Sequence, residues 1–446
     1  MAIKVGMVSL GCPKNQVDAE IMLAEIKEAG YEITGDAALA EVVIVNTCGF
    51  IESAKAESIE NILEFSALKQ EGKIKLIVVT GCLAERYRDE LKAEIPECDV
   101  VVGIGSNKDI CNIIKKGLEG ERKCYYGPKE NLPLSGNRLL TTLPYYAYIK
   151  IAEGCNNRCT YCAIPGIRGN FRSRKMEDIV SEARTLAENG VRELIVVAQD
   201  TTRYGEDIYG KPSLSNLLNE LCKIEGLVWI RVLYMYPELI DDQLIETFKN
   251  QPKLVKYMDI PLQHISDKIL KGMNRRGDGK MIRSLIKKLR DEIPDIAIRT
   301  TFIAGFPGET EEEFEQLCSF VKEAEFERMG CFAYSEEEGT PAAEFKGQVD
   351  ETVRKRRAEV ISEIQAEINF KLNEKLIDKQ ETVLVEGYDR IAGCYFGRRY
   401  CDAPEIDTQI FFMASGNKIA SGDFVTVEII ESQGYDLIGE VIKGEK

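Results

Sequence analysis

Over the first 118 residues, short unbroken apolar runs alternate with stretches in which apolar residues recur every three or four positions. The runs "IKVGMVSL", "EVVIVNT", "IKLIVVT" and "DVVVGIG" read as buried strands, and "VDAEIMLAEIKEAG" and residues 52–69 read as helices. Continuous β-branched runs separated by helices predict a doubly wound parallel sheet covered on both faces. Residues 119–140 are polar with Gly, Pro and Lys, so a linker is expected there. A second alternating series follows, with strands predicted at "YAYIKIA", "ELIVVAQD", "VWIRVLY", "VKYMDIPLQ", "IAIRTTFIAGF" and "RMGCFAYS" and a long charged helix near 350–376. Six strand–helix units suit a partial (β/α)6 barrel related to the TIM architecture rather than a closed eightfold one. In the last seventy residues the helices stop. Five short strands broken by Gly, Asn and Asp turns predict a small antiparallel β-barrel. The expected architecture is α/β multidomain, with domains at 1–118, 141–373 and 374–446 joined by the linker 119–140.

The 446 residues carry 14 cysteines and a formal charge of −16. The N-terminus has neither a basic segment with an apolar run nor a transit pattern, and no apolar stretch nears the ~20 residues of a membrane span. A cytoplasmic protein with no membrane role is expected, so clustered cysteines read as metal or catalytic sites before disulfides. Three of them, Cys155, Cys159 and Cys162 in "EGCNNRCTYC", lie within eight positions, and no further Cys or His follows until Cys222. A structural zinc site and a fully ligated [4Fe–4S] cluster both take four protein ligands. Three thiolates leave one iron open, as catalytic zinc sites keep one position for substrate. The loop follows the first strand of the expected barrel, at the end where barrel active sites form.

In the first domain Cys12, Cys48 and Cys82 each follow a predicted parallel strand. Ligands of open α/β sheets bind outside the carboxyl ends of the strands. Strands about 4.8 Å apart would bring these three thiols to one cluster, again with one position open. The other eight cysteines share no pattern and read as buried thiols. Polar residues at the ends of barrel strands form a candidate cofactor pocket: Gln199 and Asp200, Arg231, Gln263, and Thr301. His264, the chain's single histidine, is a candidate catalytic residue through a hydrogen bond or proton handling near neutral pH.

The C-x3-C-x2-C loop, with Tyr161 before its third cysteine, resembles the radical S-adenosylmethionine enzymes. That resemblance implies that the open iron binds S-adenosylmethionine, whose reductive cleavage yields methionine and a 5′-deoxyadenosyl radical. It also implies that "AGFPGET", with Gly305, runs beneath the adenine and that Tyr161 lies at the cofactor. Together the two triads resemble the methylthiotransferase family: a cluster domain, a radical barrel and a C-terminal TRAM barrel. That family inserts sulfur and a methyl group at an unactivated C–H bond, using two [4Fe–4S] clusters, two S-adenosylmethionines and a sulfur source.

Within the family, "SLGCPKN", "PLQH" and "CDAPEID" resemble the branch that modifies an aspartate β-carbon in small-subunit ribosomal protein S-twelve. The branch that modifies a transfer RNA adenosine usually has Gly-Cys-x-Met-Asn at the first cysteine, and Cys401 stands where the ribosomal branch more often has alanine. Residues 374–446 hold fourteen Asp/Glu against eight Lys/Arg, whereas RNA-binding barrels are basic. A basic ribosomal protein, free or on the small subunit, is thus the expected partner, with Asp402, Glu405 and Asp407 as candidate contacts and no dominant RNA binding. An electron donor such as flavodoxin or ferredoxin is implied. The alternatives are a transfer RNA adenosine methylthiotransferase and a non-catalytic iron–sulfur carrier.

Overall fold

The computed structural model describes residues 2–414 and 419–442. The first sheet has six parallel strands: β1 (Lys4–Ser9), β2 (Glu32–Thr34), β3 (Val42–Thr47), β4 (Leu76–Gly81), β5 (Val100–Val102) and β6 (Cys124–Tyr125). Their order is β2-β1-β3-β4-β5-β6. β3 and β4 are buried along their whole length, and alternate residues serve opposite faces. Val43, Val45, Ile77 and Val79 pack beneath α2 (Glu52–Gln70) and α3 (Cys82–Glu94). Val42, Ile44, Leu76 and Val78 pack beneath α1 (Pro13–Glu28) and α4 (Ile110–Leu118). Two strands go beyond the sequence reading. β2 is an edge strand, and β6 lies inside the segment expected to be a linker, pairing with β5.

The second sheet is also parallel throughout. It runs β14-β13-β12-β11-β10-β7, from β7 (Tyr146–Lys150) through β10 (Glu193–Val197), β11 (Trp229–Val232), β12 (Leu254–Asp259) and β13 (Ala297–Ala304) to β14 (Arg328–Ala333). The connection from β7 to β10 carries a short separate ribbon of β8 (Ala152–Glu153) and β9 (Arg172–Ser173). The six strands neighbour one another in chain order, so the sheet stays open between β7 and β14. The long helix Glu351–Glu374 lies along the β13–β14 side and buries Ile361 and Ile368 in the core. On the concave side α1 of the first domain enters, packing Val17 and Ile21 against Tyr148, Ile195 and Val197.

The last strands, β15 (Gln380–Asp389), β16 (Cys394–Arg398), β17 (Ile410–Met413), β18 (Phe424–Gln433) and β19 (Asp436–Val441), close into a barrel. Neighbours are antiparallel except β17 and β19, which pair in parallel. This barrel docks on the N-terminal ends of the central strands. Arg398 donates to Glu193 at 2.7 Å and Glu386 at 2.6 Å. Arg231 donates to Glu193 at 2.8 Å and to the Tyr400 carbonyl at 2.7 Å.

The docking corrects two sequence expectations. Arg231 is fully buried in this ion-pair network and takes no part in a cofactor pocket. Asp402 and Asp407, expected to meet a partner, instead turn toward the core, whereas Glu405 is exposed. Asp402 pairs with Arg328 and Arg399. The Glu405 and Asp407 carboxylates accept from Tyr146 and Tyr257, each at 2.8 Å. Buried arginines would be costly without such carboxylates, which explains why the acidic segment is drawn inward.

Candidate active site between two cysteine triads

Cys12, Cys48 and Cys82 follow β1, β3 and β4, three consecutive strands of the first sheet. Two glycines allow the approach. Gly11 has φ +88°, and a Cβ there would stand 2.8 Å from the Cys48 sulfur; Gly81 has φ +94°, and a Cβ would stand 2.4 Å from the Thr47 carbonyl. Burial raises the Cys48 thiol and pushes Cys82 up to about 12; Cys12 adds to both shifts, Cys48 adds to that of Cys82, and Arg168 opposes both. Cys48 and Cys82 both feel the charge of Cys12, so the three face a common space.

The second triad sits on a loop after β8 that is pinned at several points. Cys155 N–H donates to the Gly169 carbonyl at 3.1 Å, and Thr160 donates to the Gly272 carbonyl at 2.8 Å. Asn157 donates to Asp200 at 2.7 Å and accepts from Arg203 at 3.0 Å. Burial, reinforced by neighbouring charge, pushes the Cys155 thiol up to about 11 and raises Cys162 well above its ordinary range. The Cys159 sulfur lies 3.5 Å from the Tyr236 hydroxyl, and the Arg275 guanidinium covers that ring at 3.7 Å.

Buried thiols of raised pKa are neutral at pH 7 unless a metal takes their protons. Among the described residues, no three His, Cys, Asp or Glu side chains converge as a single ion requires. Cys82 is buried and the other five thiols are part-buried; three thiols fall one short of a structural zinc site and fit a [4Fe–4S] cluster with one iron left open.

The triads are tied by a buried charge group. Arg168 ends the short helix α5 (Ile164–Arg168) that follows the second triad. It reaches into the first domain, donating to Asn15 at 3.0 Å, to the Cys82 sulfur at 3.3 Å and to Asp18 at 2.5 Å. Lys150 binds Asp18 and, at 2.8 Å, Glu153. Lys14 is also buried. Its ammonium lies 3.3 Å from the centre of the Tyr234 ring. Burial works against its charge, yet Tyr234 and Cys12 outweigh that and raise its pKa.

A cavity of about 450 Å³ opens between the domains. Phe50 to Ser53, just after Cys48, form one wall. Tyr161, Gln263, Thr301, Phe332 of β14 and Tyr334 just after it line the other. Phe332 is 57% exposed. Glu337 closes the rim, held by Arg86 at 2.8 Å and Lys55 at 3.2 Å from the first domain.

Of the residues predicted for the cofactor, Tyr161, Gln263 and Thr301 line this cavity, and Gln263 carries φ +72°. Gln199 and Asp200 brace the site instead: Gln199 donates to Glu153, and Asp200 holds Asn157. Gly305 serves a turn. Its N–H donates to Glu309 at 3.0 Å, and the Arg354 side chain fills the place a Cβ would take. His264 is a correction to the catalytic expectation. It is fully buried, its Nδ1 accepts from Ser266 N–H at 3.0 Å and its Nε2 lies 3.2 Å from Glu309. A ring satisfied at both nitrogens is a structural residue. Sequence reading missed Lys14, Glu153, Asn157, Arg168 and Phe332. For Lys14 and Arg168 the available signal was a basic residue within six positions of a triad cysteine.

Three known families match successive parts of the chain: Uncharacterized protein family UPF0004 over residues 4–103, the Radical SAM superfamily over 149–321 and the TRAM domain over 377–442. The ribosomal protein uS12 methylthiotransferase RimO of Geobacter sulfurreducens is 51% identical, covering 98% of both chains. That of Clostridium botulinum is 53% identical, also covering 98% of both. Among solved structures, the radical S-adenosylmethionine methyltransferase TsrM from Kitasatospora setae, with cobalamin and a [4Fe-4S] cluster bound, aligns with a TM-score of 0.57. It is 16% identical and covers 77% of each chain. The cobalamin-dependent radical enzyme OxsB aligns with a TM-score of 0.52 at 12% identity, over 81% of this chain and 56% of its own. At these identities the two structures speak for the fold alone.

Proposed function

The chain belongs to the ribosomal protein uS12 methylthiotransferase RimO family, and from that premise we propose that it replaces a hydrogen on the β-carbon of a uS12 aspartate with a methylthio group. Cys155, Cys159 and Cys162 would hold one [4Fe–4S] cluster, and Cys12, Cys48 and Cys82 a second, each with three thiolates. One-electron cleavage of S-adenosylmethionine and the presentation of sulfur are chemistry that the bound groups supply. The residues of this chain bind, orient and seal. Asn157, Asp200 and Arg203 fix the loop of the second triad, so its thiolates keep their spacing. Tyr161, Gln263 and Thr301 line the space beside that triad and are placed to bind S-adenosylmethionine. Arg168 donates to the Cys82 sulfur, a contact that strengthens when the sulfur becomes a thiolate. The Glu337 clasp holds the two walls together and restricts water at the reacting carbon.

The observation that carries this reading is the cavity whose walls adjoin both triads, Phe50 two residues after Cys48 and Tyr161 one before Cys162. A reaction needing a radical on one side of a carbon and sulfur on the other requires that arrangement. The test is anaerobic reconstitution with iron and sulfide. The holoenzyme is then incubated with uS12, S-adenosylmethionine and a one-electron donor of the flavodoxin or ferredoxin type. Mass spectrometry should find one methylthio group in place of hydrogen on an aspartate, and an unmodified uS12 would refute the assignment.

A further inference from the structure

The central sheet has two outer edges, β7 and β14, and only one of them is closed. On β7, Ile151 N–H donates to the Val197 carbonyl of β10 at 3.0 Å, so the alternate carbonyls of Tyr146, Tyr148 and Lys150 point away from the sheet. A side chain caps each one. Thr142 donates to Tyr146 at 2.8 Å, Arg138 to Tyr148 at 2.7 Å and Arg174 to Lys150 at 2.8 Å. On β14, Tyr334 N–H donates to the Ala304 carbonyl at 2.8 Å. Gly330 and Phe332 therefore bond to β13, and Met329, Cys331 and Ala333 direct their N–H and C=O groups outward. Among the described residues nothing bonds to those outward groups.

Charges, prolines and bulges normally protect a bare edge. From Met329 to Ala333 the strand has none of these, and its pairing with β13 runs without a register shift. Its surroundings narrow what can add to it. The side chains of Met329, Cys331 and Ala333 pack on the core that holds Ile361 and Ile368 of the long helix Glu351–Glu374. The other face is open: a Cβ at Gly330 would find only the Phe332 ring within 4 Å. Phe332 and Ala333 also belong to the wall of the cavity, so the free edge runs directly into it. Just past the strand Glu336 and Glu338 are exposed, and Glu52 is exposed on the facing wall. This acidic lip favours a basic chain, and a ribosomal protein is basic because it neutralises RNA phosphates.

We infer that the uS12 segment carrying the target aspartate binds as an added strand on the Met329–Ala333 edge, which delivers that aspartate to the cavity. The inference rests on the uS12 reading above. Main-chain hydrogen bonds to the edge supply affinity. Successive side chains of an added strand alternate between faces, so every second residue of the segment turns toward Phe332 and the cavity, and those residues set specificity.

The test follows backbone amide exchange in wild-type holoenzyme, residue by residue, with and without uS12. Exchange at Met329, Cys331 and Ala333 should slow by about tenfold or more on binding, while Gly330 and Phe332, already bonded to β13, should change little. Cys331→Pro removes one outward donor and leaves the bonds to β13 in place, a change that an edge strand tolerates; Cys331→Ala keeps the donor. Cys331→Pro should keep its iron and weaken uS12 binding, read by fluorescence anisotropy, about tenfold, the worth of one hydrogen bond. Cys331→Ala should bind as wild type does. Equal affinity in the two variants would overturn the inference, and if Cys331→Pro loses iron, the wild-type exchange decides alone. If uS12 is bound and modified while the three amides stay unchanged, or slow no more than Gly330 and Phe332, the added strand is wrong and the functional reading stands. Wild type that neither binds nor modifies uS12 would remove both.

Discussion

Replacing Asp402 with alanine separates two roles for the acidic segment of the C-terminal barrel. The side chain is 1% exposed and accepts from Arg328, from Arg399 at 3.1 Å and from Thr408 at 3.1 Å. Burial alone would raise its pKa, but the two guanidiniums outweigh burial and hold it well below the carboxylate range. It is therefore ionised at neutral pH. Alanine leaves two buried arginines facing an empty position, which costs about 3–5 kcal/mol, against a total of about 5–15 kcal/mol for a typical domain. Asp402→Asn keeps shape and one acceptor and should cost roughly 1–3 kcal/mol. Arg328→Met with Asp402→Leu should recover only part of the loss, because the buried Arg399 still lacks its carboxylate.

The chain's single tryptophan reports on this interface. Trp229 begins β11, and its ring meets Phe424 of the barrel edge-on at 4.8 Å. Its fluorescence during urea unfolding should show a lower midpoint for Asp402→Ala, with Asp402→Asn between that and wild type. If Asp402→Ala kept the wild-type midpoint while its affinity for uS12 fell, the inward role would be wrong and the residue would be a partner contact after all.

The remaining predictions concern the site and its rim. Gly11→Ala places a methyl group against Cys48 and forces φ +88° on a non-glycine residue, so reconstituted protein should retain about half the wild-type iron, that of the second site; full iron would contradict the close approach. Cys159→Ala should abolish 5′-deoxyadenosine formation, whereas Cys82→Ala should spare it and lose methylthio transfer, both read by chromatography; identical behaviour would refute the division between triads. Glu337 is raised by burial but lowered on balance by Ser335, Arg86 and Lys55. Its contribution to stability is therefore complete above the ordinary carboxylate pKa and is lost as pH falls through the folded value. Glu337→Gln should lower the melting midpoint near neutral pH and flatten its acid limb, and an unchanged acid limb would show that the clasp does not hold the domains together.

Where the sequence was legible, the reason is periodicity. The central strands come from apolar runs, buried along their whole length in β7, β10 and β11, and such runs are hard to mistake when helices separate them. β2 and β6 are three and two residues long, too short to carry a pattern, and their pairing depends on a neighbouring edge. The six triad cysteines were legible because topology places strand ends together. The polar residues at strand ends were not equally legible, because side-chain type does not say which end of the barrel a residue faces. Gln263 and Thr301 point to the cavity, while Arg231 in the same kind of strand pairs with Glu193 at the opposite end. The surplus of acid in residues 374–446 could not reveal that Asp402 and Asp407 turn inward, since their partners Arg328 and Arg299 belong to another domain.

The two triads form one unit for an electrostatic reason. Asp18 and Arg168 are 150 residues apart in sequence and in different domains, yet each is nearly inaccessible and each neutralises the other. Lys150 and Glu153 complete a group of two cations and two anions with no net charge. Pulling the domains apart would leave Asp18 on one surface and a net positive pair, Lys150 and Arg168 against Glu153, on the other. Arg168 would also leave the Cys82 sulfur. The position of Arg168 is set by α5, which begins two residues after Cys162, so order in the second triad's loop governs a hydrogen bond to the first triad. Loading the second site should thus favour loading the first, even though no ligand is shared between them.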